Sequence, residues 1–126
     1  MRENLGPLAQ IGYVVPDLKS AAMEWVSRTG IGPWYIAEQV PLDYFRHRGV
    51  QSDIKIGIAT AFTGSLEIEL IAQHNDSPSD YRDVLKRSES DIHHVCFFPQ
   101  DYDLALASLL SENLEVLQEG AIHGIR

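Results

Sequence analysis

The sequence uses one pattern twice, and that repeat limits the fold more than any other feature. Laid back on the N-terminal region without a gap, the second stretch sets Val95 over Ile11, Phe97 over Tyr13, Phe98 over Val14 and Asp101 over Asp17. The register holds into the next segment, where Tyr102, Ala105, Leu106, Leu109 and Leu110 fall over Leu18, Ala21, Ala22, Trp25 and Val26. Both stripes have the i, i+3, i+4, i+7, i+8 spacing of an amphipathic helix. A strand, an Asp in helix N-cap position and a matching stripe at one offset mark a duplicated module. Two copies of a module pack about an approximate two-fold axis, as subunits of a symmetric dimer do. The repeat-mate of His94 is Gln10, so these two are expected to face each other near that axis.

The chain between the repeats supplies the remaining elements. Gln10 to Val15 reads as a strand that Pro16-Asp17 stops, with Asp17 capping a helix that runs to about Arg28. Gly30 closes this helix in the left-handed region, and Gly32-Pro33 leads into a second strand from Trp34 to Val40. Residues 41–52 show no clean period and are expected to form a loop over one end of the sheet, with Arg46 and Arg48 solvated. Ile54, Ile56 and Ile58 alternate with Lys55, Gly57 and Ala59 as in a half-buried strand. Thr63-Gly64-Ser65 then turns the chain into a strand from Leu66 to Ile71. Ser77, followed by Pro78 and Asp80, is expected to cap a short linker helix. The second module offers a strand at 92–98, a helix from Asp101 to Glu112 and a strand from Leu114 to Gln118.

The predicted class is α+β, with paired βαβββ modules forming a curved mixed sheet. Module one spans about 8–73, the linker helix about 77–88 and module two about 91–126, all within a single domain of residues 1–126. After its helix, module two has room for one strand and the start of another, so it reads as truncated. Unpaired edges and an uncovered apolar face are physically costly. A longer natural chain or a second copy would remedy this, and a homodimer, with or without exchanged strands, is the expected assembly.

Composition excludes several function classes. A net charge of −8 is the opposite of the basic footprint that nucleic-acid binding needs. No apolar run reaches the length of a membrane span, and no charged-then-apolar signal segment opens the chain, so a cytoplasmic location is expected. Cys96 is the single cysteine; inside an apolar strand it reads as a packing residue rather than a nucleophile.

Strand parity then gathers a candidate site. Gln10, Gly12 and Val14 share one face of the first strand, and His94, Cys96 and Phe98 share the equivalent face of its repeat. Glu67 and Glu69 share the face opposite Leu66, Ile68 and Leu70. Helices are expected to cover the bulkier apolar face and leave the other for the site. Gln10, His94 and a Glu can then meet inside one curved sheet. Imidazole nitrogen, carboxylate oxygen and amide oxygen suit a borderline divalent cation with open positions. The plainer alternative is that His94 is a hydrogen-bonded structural residue and that Glu67 and Glu69 are a solvated strand face. Adjacent His93 and His94 are not a metal motif by themselves, because neighbours on a strand are expected to point to opposite faces. Trp34, Tyr35 and Phe62 either line a small-molecule pocket or belong to the core.

These residues carry a resemblance. Gln10-Ile-Gly-Tyr-Val-Val-Pro-Asp17, Gly30-Ile-Gly-Pro-Trp34, Ile68-Glu69-Leu70-Ile71 and Ile92-His-His-Val-Cys-Phe97 resemble the vicinal oxygen chelate superfamily. This group contains glyoxalase I, bleomycin-resistance proteins, extradiol dioxygenases and methylmalonyl-CoA epimerase, and the likeness is to the glyoxalase-like branch that includes the epimerase. The resemblance implies a cup of βαβββ modules around a divalent metal (Mn, Co, Ni, Zn or Fe), with ligands from the first and fourth strands of each module. Carried onto this chain, the ligand positions are Gln10, Glu69 and His94. Gln10 stands where metal-binding members typically have His, and the repeat-mate of Glu69 would fall beyond residue 126.

Two functions follow as expectations. One is a metal-dependent isomerase or lyase acting on a small oxygenated or acyl-CoA-type substrate through an enolate or enediolate, with Glu67 or Glu69 moving the proton. The other is a non-catalytic small-molecule-binding protein of the bleomycin-resistance type, with Trp34, Tyr35, Tyr44 and Phe62 as its cavity wall.

Overall fold

A computed structural model of the chain describes residues 5–87 and 92–126. The expected helix end near 88 and the module boundary near 91 lie outside the described residues. In chain order the elements are β1 (Leu8–Val14), α1 (Leu18–Thr29), β2 (Tyr35–Ala37), β3 (Leu42–His47), β4 (Val50–Gln51), β5 (Ile56–Thr63) and β6 (Leu66–Gln73). They are followed by α2 (Asp80–Arg87), β7 (Ile92–Phe97), α3 (Tyr102–Ser111) and β8 (Gln118–Ile122).

The repeat is visible in how the strands pair. The larger sheet has the order β2-β5-β6-β1-β7, so the first strands of the two modules lie side by side and antiparallel. Ile11 sits opposite Val95, its own repeat-mate, and the flanking pairs are Gln10 with Cys96 and Gly12 with His94. An axis through Ile11 and Val95 exchanges these two pairs. It also exchanges the outer pairs, Leu8 with Phe97 and Tyr13 with Ile92. Between inner and outer pairs the register slips by one residue on each side, which leaves Ala9 and His93 as extra residues. These are two β-bulges at equivalent places in the repeat.

The two helix caps repeat as well. Asp17 accepts from the Ser20 amide at 2.8 Å, and Asp101 accepts from the Leu104 amide at 3.0 Å. The Ser20 side chain, then the Ser20 amide and the Lys19 charge, hold the exposed Asp17 carboxyl below its ordinary pKa. Gly30 ends α1 at φ 73° and donates to the Val26 carbonyl, as its sequence position implied.

Helix α1 covers one face of the large sheet. Val15, Leu18, Ala22, Ala59, Leu70 and Ala72 form the buried cluster there, with Tyr13, Trp25 and Trp34 packed against it. On β5 the helix covers the small residues, contrary to expectation. A side chain at Gly57 would meet Leu18 and the Glu38 carbonyl, so small groups here let α1 approach closely. The isoleucines of β5 face the other way, where Phe45, Ile54, Ile56 and Ile71 form a second cluster with Leu42, Ile58 and Tyr81.

Three expected elements are placed differently. Residues 41–52 are not a loop but supply β3 and β4, which join β8 in a second sheet of order β4-β3-β8. The last strand is Gln118–Ile122 rather than 114–118, because its partner is β3 and the register is set there. Helix α2 is capped by Ser79, not Ser77. The Ser79 hydroxyl accepts from the Arg82 amide at 3.1 Å, while the Ser77 hydroxyl donates to the Asp53 carbonyl at 3.0 Å.

In the second module, β7 is the outer strand of the large sheet, and Ala105 is the buried residue of α3. Ile92, Val95, Leu104 and Leu110 are exposed. No helix among the described residues is long and apolar enough to cross a membrane.

Candidate functional site

The open face of the large sheet and the smaller sheet border a cavity of about 560 Å³ that is open on one side. Register puts the polar side chains on this face. Gln10 is paired with Glu67 and Gly12 with Glu69 across β1 and β6, while β7 brings His94 beside Gly12. Phe45, Ile56, Ile58 and Ile71 form the apolar wall, and Tyr81 closes it from α2. A smaller pocket of about 270 Å³ against α1 holds none of the expected donors.

The three expected donors converge. His94 Nε2 lies 3.2 Å from Gln10 Oε1 and 3.2 Å from Glu69 Oε1. Gln10 Nε2 donates to Glu67 Oε1, which turns the amide oxygen of Gln10 toward His94. Gln10 is 6% exposed, so this orientation is held inside the protein rather than traded with water. Gly12 makes room for the imidazole: a Cβ at that position would be built into the His94 ring. Overpacking of this kind costs about 1–3 kcal/mol. Gly12→Ala is therefore expected to unfold at lower urea with a loss in that range and to push His94 out of line with Gln10. A variant as stable as the parent would show that the ring does not sit over Gly12.

His93 corrects the expectation from strand parity. Its Nδ1 lies 2.8 Å from His94 Nδ1, and the rings meet nearly edge-on at 88°. The bulge at His93 is the reason, since an extra residue in one strand breaks the alternation and re-aims its neighbour. His93 Nε2 is 2.9 Å from Asp80 Oδ2, and the Tyr81 ring packs on the imidazole at 5.1 Å. Burial lowers the pKa of His93, opposed by its hydrogen bond to Asp80 and reinforced by His94. Tyr81 is pushed up to about 12 by desolvation and then by the charges of Glu69 and Asp80, so its hydroxyl keeps its proton. Burial also raises the Cys96 thiol, with Glu69 and Glu67 adding to the effect. Asp80, Tyr81 and Phe45 were not among the expected site residues; the Ser-x-x-Asp pattern singled out Asp80, but only as part of a helix start.

The expected aromatic wall is mostly elsewhere. Trp34 lies on the α1 side of the sheet, next to Trp25, with its Nε1 donating to the Ile31 carbonyl at 2.9 Å. Tyr44 points away from Phe45 on β3 and stacks under the Arg46 guanidinium. Phe62 is opposite Glu67, and Tyr35 is opposite Thr60, which in turn is opposite Glu69. Those two share the face of the site but are exposed at its margin. Among the described residues, none of the four lines the 560 Å³ cavity.

Proton bookkeeping defines what the trio can hold. If His93 donates Nε2–H to the Asp80 carboxylate, its Nδ1 lone pair accepts from His94 Nδ1–H. A neutral His94 then presents a bare Nε2 to two oxygens that are themselves acceptors. Three lone pairs on one point repel unless a proton or a cation lies between them. Donors about 2.1 Å from a shared ion stand roughly 3 Å apart across a right angle, close to the spacing found. The residues therefore fit a divalent cation with open positions. Among the described residues, no group of three His, Cys, Asp or Glu side chains converges in this way; here the third donor is an amide.

Residues 9–125 match the family described as the Glyoxalase/Bleomycin resistance protein/Dioxygenase superfamily. Among solved structures, the chain is similar to methylmalonyl-CoA epimerase from Mycobacterium tuberculosis, with a TM-score of 0.60 and 17% identity. That match covers 89% of this chain and 67% of the epimerase chain. No curated protein matches the sequence.

Proposed function

Since the chain belongs to the glyoxalase/bleomycin resistance protein/dioxygenase superfamily, we propose that it is a glyoxalase-like, metal-dependent isomerase or lyase. Its substrate is a small oxygenated or acyl-CoA-type molecule that reacts through an enolate or enediolate. The observation that carries this reading is the meeting of His94 Nε2, Glu69 Oε1 and Gln10 Oε1 at the cavity wall. Gln10, Glu69 and His94 would hold a divalent cation (Mn, Co, Ni, Zn or Fe), which would supply the Lewis acidity that makes a carbon next to a carbonyl acidic.

The protein's own groups do the rest. Glu69 lines the cavity and is placed to take or return a proton. Glu67, held by Gln10, keeps the amide oxygen turned inward and is the second candidate for proton movement. Tyr81 is an O–H donor on the wall, while Phe45, Ile58 and Ile71 keep water from the reacting carbon. Phe62 and Tyr35, on the same face but further out, are placed to meet a larger substrate body. Trp34 and Tyr44, on other surfaces, are not.

Elemental analysis of dialysed protein, with native mass on the same sample, tests this. Near one transition-metal ion per chain is expected, and the native mass reports whether the protein is the dimer expected from sequence.

The amide at position 10 favours a second reading, a non-catalytic small-molecule-binding protein on the same fold. Gln is a weak donor to a cation, and the wall of the cavity is largely apolar. Protein that takes up no metal when soaked in excess divalent ions, yet binds an anilinonaphthalene sulfonate dye equally with and without chelator, would decide for it.

A further inference from the structure

We propose that Asp80 and His93 are positioning residues that set the tautomer of His94, turning its Nε2 lone pair into the cavity. The proposal rests on the reading of His94 as an inner donor of the site, and it goes further by naming what decides which ring nitrogen is available. Asp80 Oδ2 and His93 Nε2 are 2.9 Å apart, and the two Nδ1 atoms are 2.8 Å apart. One proton fits between the Nδ1 atoms, so the two rings are coupled: whichever nitrogen Asp80 draws a proton to fixes the other ring.

Two carboxylates compete for this pair from opposite ends. Glu69, with the Gln10 oxygen beside it, favours a proton on His94 Nε2. Asp80 favours a proton on His93 Nε2, which places the remaining one on His94 Nδ1 and frees His94 Nε2. The His93–Asp80 end is the more enclosed, with side chains 8% and 18% exposed against 27% and 15% for His94 and Glu69. Asp80 is itself fixed, because its amide donates to Gln118 Oε1 at 2.9 Å and the Ser79 cap orders the turn it sits on. Outer carboxylates that hold a ligating imidazole in one tautomer raise its availability to metal. The bulge makes this possible, since without it His93 would point away from His94.

The test reads the tautomer directly, in metal-free full-length protein. Long-range proton–nitrogen NMR of histidine-labelled protein at about pH 9, above the ordinary imidazole range, distinguishes Nδ1–H from Nε2–H on His94. The wild type is expected to carry Nδ1–H. In Asp80→Asn the amide can donate to His93 Nε2, the coupling reverses, and His94 is expected to move to Nε2–H. His93→Phe removes the coupling by a different route and is expected to give the same His94 signal, which guards against a folding defect peculiar to either variant. Zinc affinity should fall on the order of 10–100-fold in both variants. Nε2–H on His94 in the wild type, or the same tautomer in wild type and Asp80→Asn, overturns the proposal. A wild type that binds no zinc but shows the Asp80-dependent tautomer counts against the metal-dependent function and leaves this inference standing.

Discussion

Replacing His94 by alanine is expected to abolish stoichiometric metal binding. Of the three converging donors, the imidazole nitrogen is the one that transition metals of the borderline class prefer, and its loss leaves one carboxylate and one amide oxygen. Neither remaining donor selects such an ion over water. The substitution also frees Gln10 Oε1 and His93 Nδ1 from their contacts. That costs some stability, but the side chain is 27% exposed, so the fold should survive with water in the space. Equilibrium dialysis against zinc or cobalt, with circular dichroism on the same sample, checks both halves of the expectation. One metal per chain retained in folded His94→Ala would remove the residue from the site.

The largest effect on stability is expected at Leu70. This side chain has no exposure and lies at the centre of the cluster formed with Val15, Leu18, Ala22, Ala59 and Ala72 beneath α1. Leu→Ala at a buried site costs about 2–5 kcal/mol, depending on how far the surroundings collapse into the space. Collapse is limited here, because the neighbours Ala59 and Ala72 have no longer side chain to swing into the space and Gly57 already brings Leu18 close. The loss should fall near the upper half of that range and be read as a lower urea midpoint at unchanged slope. A domain of this kind has only about 5–15 kcal/mol in total, so the variant stands near the limit of folding. A loss under about 1 kcal/mol would mean that α1 is not seated on Leu70.

What the sequence made legible follows from period and offset. Gln10, His94 and a Glu of β6 were found because alternation assigns a strand residue to a face and the repeat assigns one strand to another; the choice of Glu69 over Glu67 came from the family resemblance. Both are local or self-referential properties. Leu66, Ile68 and Leu70 fell on the helix side for the same reason. The chemistry of His93 was not legible, because a bulge belongs to a pair of strands and neither strand announces it alone. Residues 41–52 looked aperiodic because β3 pairs with β8, and Leu42 finds Ile122 only across most of the chain. Trp34 was left open between pocket and core for a simpler reason: large aromatics suit a cavity wall and a helix–sheet interface equally, and packing on Trp25, itself against Tyr13, decides for the core. Ser77 was expected as the cap from its Ser-x-x-Asp spacing, but the Asp53 carbonyl takes its hydroxyl and Ser79 caps the helix instead.

The paired bulges make the first strands of this protein two separable cassettes. Each consists of an irregular residue followed by the donor it aims, Ala9 with Gln10 on one side and His93 with His94 on the other. The ladder bonds that carry them are backbone bonds, so they tolerate a change of donor as long as Gly12 still leaves room for the side chain at position 94. One half can therefore be rewritten, in ligand hardness or in its link to an outer carboxylate, while the other half and the sheet stay as they are. A scaffold of this kind lets donor chemistry drift one side at a time without passing through an unfolded intermediate design.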